Sequence, residues 1–283
     1  MLLILLIVYD ILCWVADPAP DHPYFQTDKF LVIAHRGGRS LGPEGTLYTF
    51  RKAVDLGVDV LEMDVRSTAD GQLIILHDRA LTRTTGTAGL IENFTLSEVK
   101  KLDAAYHWTT DSGRSFPLRN TGIRIPTVAE VFQAFSKTKM IIEIKDYRSD
   151  AVQSLCGLIR DHQMSEKVMV ASFETDSLKE FRSLCPRVAT SAPTAEATLF
   201  YILQRLYLEA AYSPEALVLQ VPEALRDLPI VTPRFIEAAH ARNMRVQVWT
   251  VNDINSMKRL VDLGVDGIMT DYPQRLLKVI NNQ

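Results

Sequence analysis

From residue 29 onward the sequence alternates between short runs rich in β-branched residues and longer segments of helical periodicity. No other feature restricts the fold as strongly. Strand-like runs fall at 30–34, 60–65, 140–145, 167–172, 188–190, 217–221, 245–250 and 267–270. Helical patterns lie between most of them, among others at 46–56, 128–135, 151–161, 176–184, 232–242 and 254–263. Eight strands with intervening helices in about 250 residues predict an α/β protein, a closed (β/α)8 TIM-type barrel. A doubly wound open sheet is the alternative, but it would want a Gly-rich dinucleotide turn, and none follows the first strand.

An internal echo supports the barrel. Ala53-Val54-Asp55-Leu56-Gly57-Val58-Asp59 leads into the second strand, and Leu260-Val261-Asp262-Leu263-Gly264-Val265-Asp266 leads into the eighth. Each is a helix end, a Gly cap and an entry to a strand. Both strands finish in an acid, Asp64 and Asp271.

One further strand-like run, 73–76, follows the second strand across Ala69-Asp70-Gly71-Gln72 and precedes His77-Asp78. Asp-Gly between apolar runs signals a β-hairpin. A two-residue turn at Asp70-Gly71 would set Asp64 opposite His77. Residues 79–125 are too long for a plain connection. Phe94, Tyr106, Trp108 and Phe116 give them something to pack, so they read as a functional insertion.

The net charge of -3 argues against a general nucleic-acid binder. Cys13, Cys156 and Cys185 are odd in number and lack ligand spacing; they read as core thiols, with neither a disulfide framework nor a zinc site. Residues 1–16, MLLILLIVYDILCWVA, form an apolar segment, and Asp17-Pro18-Ala19-Pro20 opens a linker, 17–28, before a barrel domain at 29–283. The apolar run is shorter than the roughly 20 residues that span a bilayer, and it lacks a basic start and a small-residue cleavage site. A membrane anchor is the first expectation; a cleaved signal and a helix packed on the domain are the alternatives. Membrane association is therefore expected on a side the sequence does not mark, a secreted or periplasmic place included.

The chemistry-bearing residues gather at strand ends, the active face of such a barrel. Val60-Leu61-Glu62-Met63-Asp64-Val65 sets two acids on one strand face, where burial would sharpen their repulsion. Glu143 and Lys145 repeat the spacing on the third strand, and His35-Arg36-Gly37-Gly38 ends the first strand. Three oxygen ligands suit a hard divalent cation, Mg²⁺ or Ca²⁺. Arg36 and Lys145 suit a phosphate, and His35 and His77 suit proton transfer. Taken singly, Glu62 and Asp64 also read as salt-bridged rim residues, and Glu143 with Lys145 as a pair on one strand face. His22, His107, His162 and His240 are left as structural groups. Jointly the set reads as phosphodiester hydrolysis.

These residues resemble the glycerophosphodiester phosphodiesterase family. The resemblance rests on His35-Arg36-Gly37-Gly38, Pro43-Glu44-Gly45-Thr46, Leu61 to Val65, Asp70-Gly71 with His77-Asp78, Ile123 to Thr127, and Glu143-Ile144-Lys145. Val248 to Asn252 and Thr270-Asp271-Tyr272-Pro273 complete it. It runs from about residue 31 to the C-terminus and implies a barrel with an insertion after the second histidine. It further implies Glu62, Asp64 and Glu143 as metal ligands, His35 as general base and His77 as general acid. Arg36 and Lys145 would hold the phosphate and Trp249 would line the pocket. The family usually carries Asn where this chain has Gly45, so a side-chain amide is absent there.

The expected activity is metal-dependent hydrolysis of a glycerophosphodiester to glycerol 3-phosphate and an alcohol. A membrane-associated lysophospholipase D is the alternative within the class. A non-catalytic binder of a phosphorylated ligand is the alternative outside it.

Overall fold

The computed structural model describes residues 2–25 and 29–281. Residue 1 of the apolar segment, residues 26–28 of the expected linker and residues 282–283 of the barrel domain lie outside the described residues. The strands are β1 (Leu31–Ala34), β2 (Val60–Ser67), β3 (Leu73–Ile75), β4 (Lys139–Ile144), β5 (Val168–Ala171) and β6 (Ala189–Thr190), followed by β7 (Val218–Pro222), β8 (Ala224–Leu225), β9 (Leu228–Pro229), β10 (Arg245–Trp249) and β11 (Gly267–Thr270). Eight of them, in the order β6-β5-β4-β2-β1-β11-β10-β7, pair in parallel, and a parallel bridge from Ser191 to Val218 brings the two ends together. The fold is the expected (β/α)8 barrel, with β3 antiparallel to β2 as the expected hairpin arm. Its strands read as unbroken apolar runs because helices cover their outer face and side chains fill the interior.

The two echoed joints share a function. Gly57 (φ 91°) and Gly264 (φ 85°) end their helices in the left-handed region, where glycine carries no Cβ penalty. The aspartate that follows each then accepts a backbone hydrogen bond from the adjacent strand. Asp59 Oδ2 takes Val32 N at 2.9 Å, and Asp266 Oδ2 takes Val246 N at 2.7 Å. Each joint thereby fixes the height of a strand beside it.

The hairpin register differs by one residue from the expected one. Val65 pairs with Ile75, Arg66 with Ile74 and Ser67 with Leu73, so Asp64 lies opposite Leu76, whose N donates to Asp64 O at 2.9 Å. The turn runs from Thr68 to Gln72 instead of closing at Ala69 and Gln72. Thr68 Oγ1 donates to Asp70 Oδ1 (2.6 Å) and accepts from Gln72 N (3.0 Å), and these bonds favour the wider loop. The insertion packs on the hairpin through a small core of its own, built on Ile74, Leu76, Leu81, Ile91, Val99 and Ile125.

Residues Leu2–Val15 form a helix, and among the described residues no helix is long and apolar enough to cross a membrane. Tyr9 Oη donates to Tyr207 O at 3.1 Å. The segment after it is bound to the barrel: Ala19 N donates to Arg242 O (2.9 Å), Asn243 Nδ2 to Ala19 O (2.7 Å), and Lys139 Nζ to Tyr24 O (2.6 Å). Tyr24 is fully buried against the strand starts.

The expectation for the cysteines is overturned as well. Cys156 and Cys185 are buried, as core thiols would be, but they form a disulfide with Cα atoms 5.9 Å apart. The helices Ser149–Asp161 and Thr175–Leu184 pack side by side, which brings together two positions whose separation in sequence carries no pairing signal. Cys13 is free. Closing a loop of 29 residues should contribute roughly 3 to 4 kcal/mol. Cys156→Ala with Cys185→Ala is expected to lose about that much in urea unfolding; an unchanged midpoint would show the bond to be stabilising nothing.

Candidate active site

The site begins with register. β2 and β4 pair so that Asp64 stands beside Glu143, and Glu62 lies two residues before Asp64 on the same face. Ligand oxygens of Glu62, Asp64 and Glu143 lie within 4.8 Å of one another. Glu62 and Asp64 are 3% exposed. Burial, then the charge of Asp64, pushes the Glu62 carboxyl up to about 8, and burial likewise raises Glu143. Two buried acids and a half-buried third this close are unfavourable unless a cation shares their oxygens, and a hard divalent ion fits such a donor set.

Two basic side chains flank the acids. Lys145 Nζ lies 2.5 Å from Glu143 Oε1 and 3.5 Å from Asp64 Oδ1, and Arg36 Nε lies 3.5 Å from Asp64 Oδ2. Burial works against the Lys145 charge, but Glu143 and Asp64 outweigh it and hold its pKa above the usual value. Arg36 sits in a tight turn after β1 with φ 50°, and its backbone N donates to Glu62 Oε2 at 2.8 Å. The two glycines after it are required sterically: a Cβ on Gly37 would meet Phe50 at 2.6 Å, and one on Gly38 would meet Pro273 at 2.9 Å.

Each histidine has an aspartate behind it. His35 Nδ1 lies 2.7 Å from Asp271 Oδ1, and His77 Nδ1 lies 2.6 Å from Asp78 Oδ1. With Nδ1–H donated to a carboxylate, Nε2 is the nitrogen left to exchange a proton. Burial opposes the charged form of His35, yet Asp271 and Glu62 together raise its pKa; for His77 burial prevails and the pKa falls. Asp271 is itself fixed by Asn252, whose Nδ2 donates to Oδ2 at 2.9 Å. Glu44 accepts from Arg36 and Arg83 and forms an ion pair with Arg39, and these guanidiniums outweigh burial to hold it down at about 2. Gly45, where the family amide would stand, has φ 65° and a Cβ position 3.0 Å from Ile75 Cγ2.

All eight sequence-derived site residues border one cavity of about 650 Å³ at the strand C-termini: His35, Arg36, Glu62, Asp64, His77, Glu143, Lys145 and Trp249. Apolar and aromatic side chains, Phe173, Tyr201, Leu225 and Leu228, also line it, and Lys145 Nζ lies 5.4 Å from the centre of the Phe173 ring. The ring of Phe173 meets Trp249 edge-on at 5.8 Å. The other four histidines are engaged elsewhere: His22 with Arg187 O, His107 with Tyr106, His162 with Phe132 and His240 with Asp266. Sequence reading gave no role to Asp271, Asp78, Glu44 or Arg83. Asp271 was visible as the acid ending the eighth strand, and Asp271, Asp78 and Glu44 all stand within the motifs of the family resemblance; Arg83 had no signal.

The model of the glycerophosphoryl diester phosphodiesterase family matches residues 35–275. A glycerophosphodiester phosphodiesterase of Caldanaerobacter subterraneus is 32% identical over 261 residues, covering 89% of this chain and 98% of that protein. A lysophospholipase D of Rattus norvegicus is 27% identical, covering 88% and 86%. An Oleispira antarctica phosphodiesterase, solved in complex with the product sn-glycerol-3-phosphate, superposes with TM-score 0.72 at 26% identity, covering 88% and 96%.

A carboxyl raised from 4.5 to about 8 on folding makes the folded protein bind a proton that the unfolded chain has released. Without a cation, stability therefore falls as pH rises between those values. A divalent cation replaces that proton, so the rise in Tm from excess Mg²⁺ or Ca²⁺ should be larger at about pH 8.5 than at about pH 6. A pH-independent rise in scanning calorimetry would count against the three acids as the binding site.

Proposed function

Since this chain belongs to the glycerophosphoryl diester phosphodiesterase family, and is thus a phosphoric diester hydrolase, we propose that it hydrolyses glycerophosphodiesters to glycerol 3-phosphate and an alcohol. The observation that carries this reading is the convergence of Glu62, Asp64 and Glu143 between two aspartate-backed histidines and two cations. A cation held by the three acids, Mg²⁺ or Ca²⁺, would supply Lewis-acid charge for the phosphoryl oxygens. Arg36 and Lys145 hold the phosphate, Arg by its fork and Lys as a point charge. As the attacking oxygen, of water or of the substrate's own glycerol 2-hydroxyl, bonds to phosphorus, His35 Nε2 takes its proton, and His77 Nε2 gives one to the alkoxide that leaves as the P–O bond breaks; after attack by the 2-hydroxyl, water opens the cyclic phosphate in a second step. Trp249 closes the pocket against the reacting groups. The complete set of groups leaves a non-catalytic binder without support.

The apolar part of the lining favours a second reading of the substrate. Phe173, Tyr201, Leu225 and Leu228 offer no charge to a water-soluble head group but suit an acyl chain. A lysophospholipid cleaved at its head group would engage both parts of the lining, and the resemblance to a lysophospholipase D points the same way. Leu228→Ser should then raise KM for lysophosphatidylcholine severalfold while sparing glycerophosphocholine; equal effects on both would remove the acyl-chain reading.

Exposed apolar side chains support membrane association. Ile11, Leu12, Trp14 and Val15 are exposed on the N-terminal helix, and Leu199, Ile202 and Leu206 are exposed on and just after the helix Thr194–Arg205, other residues of which border the cavity. The Cys156–Cys185 disulfide favours an oxidising compartment, in keeping with a secreted or periplasmic place. The protein should sediment with phospholipid vesicles, and Trp14→Ser with Leu206→Ser should release it.

His77→Ala tests the main proposal. Turnover of glycerophosphocholine should fall by a factor on the order of 10² to 10⁴, while the rise in Tm with Mg²⁺ or Ca²⁺ persists. EDTA should abolish wild-type turnover. Retained activity in either case would overturn the mechanism.

A further inference from the structure

Nothing in the mechanism above uses Arg83, yet this side chain ties together more of the site than any other in the insertion. It belongs to a short helical turn, Thr82–Thr85, set on the fully buried Leu81 and ended by Gly86 at φ 71°. That glycine is fixed in turn, since a Cβ there would meet the ring of Tyr106 at 2.6 Å. From this turn the guanidinium reaches two carboxylates at once. Nε donates to Asp78 Oδ2 at 2.5 Å, while NH1 and NH2 donate to Glu44 Oε2 and Oε1 at 2.8 and 2.6 Å.

Both carboxylates lead to reacting groups. Asp78 uses its other oxygen on His77 Nδ1. Glu44 also takes Arg36 NH1 at 3.0 Å and forms an ion pair with Arg39 Nε at 3.0 Å, and Arg39 NH1 comes within 3.7 Å of Asp271, the partner of His35. The loop after β1 and the hairpin arm β3 are separate pieces of chain. Arg83 bridges them at the point where their side chains face the cavity. We propose that Arg83 is a positioning residue: by clamping Asp78 and Glu44 together it fixes the His77 imidazole and the Arg36 guanidinium in one geometry around the phosphate.

The chemistry of the clamp specifies arginine. A carboxylate pair approached from one side by three N–H groups in a plane matches a guanidinium fork, and a lysine ammonium cannot satisfy both acids along the same directions. A freed Asp78 could still accept from His77, but its own orientation would no longer be set. Misplacement of an acid–base group by about 1 Å can cost on the order of 10²-fold in rate.

The inference rests on His77 as a proton-transfer group, so the test separates the two. Arg83→Lys and Asp78→Asn are each expected to lower kcat for glycerophosphocholine about 10- to 100-fold, with KM within about threefold and a displaced limb in the pH–rate profile. The double variant should be little worse than either single one, since both break one linkage. Arg83→Ala should recover part of its kcat in added guanidinium. Arg79→Gln, which breaks an ion pair with Glu92 in the same insertion away from the cavity, should leave turnover unchanged. Unaltered kcat in Arg83→Lys, strict additivity with Asp78→Asn, or an equal loss in Arg79→Gln would overturn the assignment while leaving His77 intact. A His77→Ala variant of full activity would instead overturn the reading beneath it.

Discussion

Like charges forced together by strand register are the constraint around which the rest of this molecule is arranged. The pairing of β2 with β4 sets Asp64 beside Glu143, and the pleat returns Glu62 to the same face. A buried carboxylate at about 8 is an expensive object to keep in a barrel. The surroundings partly offset it: Arg36 N and Nε, and Lys145 Nζ, are each directed at one of the three acids. Because a second β-strand pairing or a helix shift would separate the three acids, the barrel's register and the site's chemistry are one specification.

The histidines carry this further. Each imidazole is held by an acid from a different part of the chain, Asp271 from the last barrel strand and Asp78 from the hairpin. The two acids are joined through Arg39, Glu44 and Arg83, so the two flanks of the cavity share one charged network. Such a network is stable only when every member is satisfied, which explains how Glu44 can be so strongly acidic inside a loop.

Sequence and structure agree where periodicity decides the matter. The eight barrel strands, the two Gly-capped joints and seven of the eight cavity residues were legible, because a buried parallel strand and its charged interruptions leave a pattern in the chain itself; Trp249 came from the family resemblance alone. The hairpin register was not, since Thr68 supplies a side-chain bond that the Asp-Gly signal does not encode. The disulfide escaped because it depends on which helices become neighbours. Arg83 escaped for a related reason: an arginine in a polar stretch reads as solvated until the turn that aims it is known. What remained hidden was thus in each case a contact between pieces of chain distant in sequence.

The insertion's separate apolar core has a consequence for how the enzyme fails on warming. A cluster of its own should let that segment detach cooperatively while the barrel stays hydrogen-bonded, as a low-stability foldon does. Since Arg83 and its turn belong to that segment, inactivation should precede denaturation, and amide exchange in residues 81–104 should outpace exchange in the strands. Heat-inactivated protein would then keep most of its circular dichroism and regain activity on cooling.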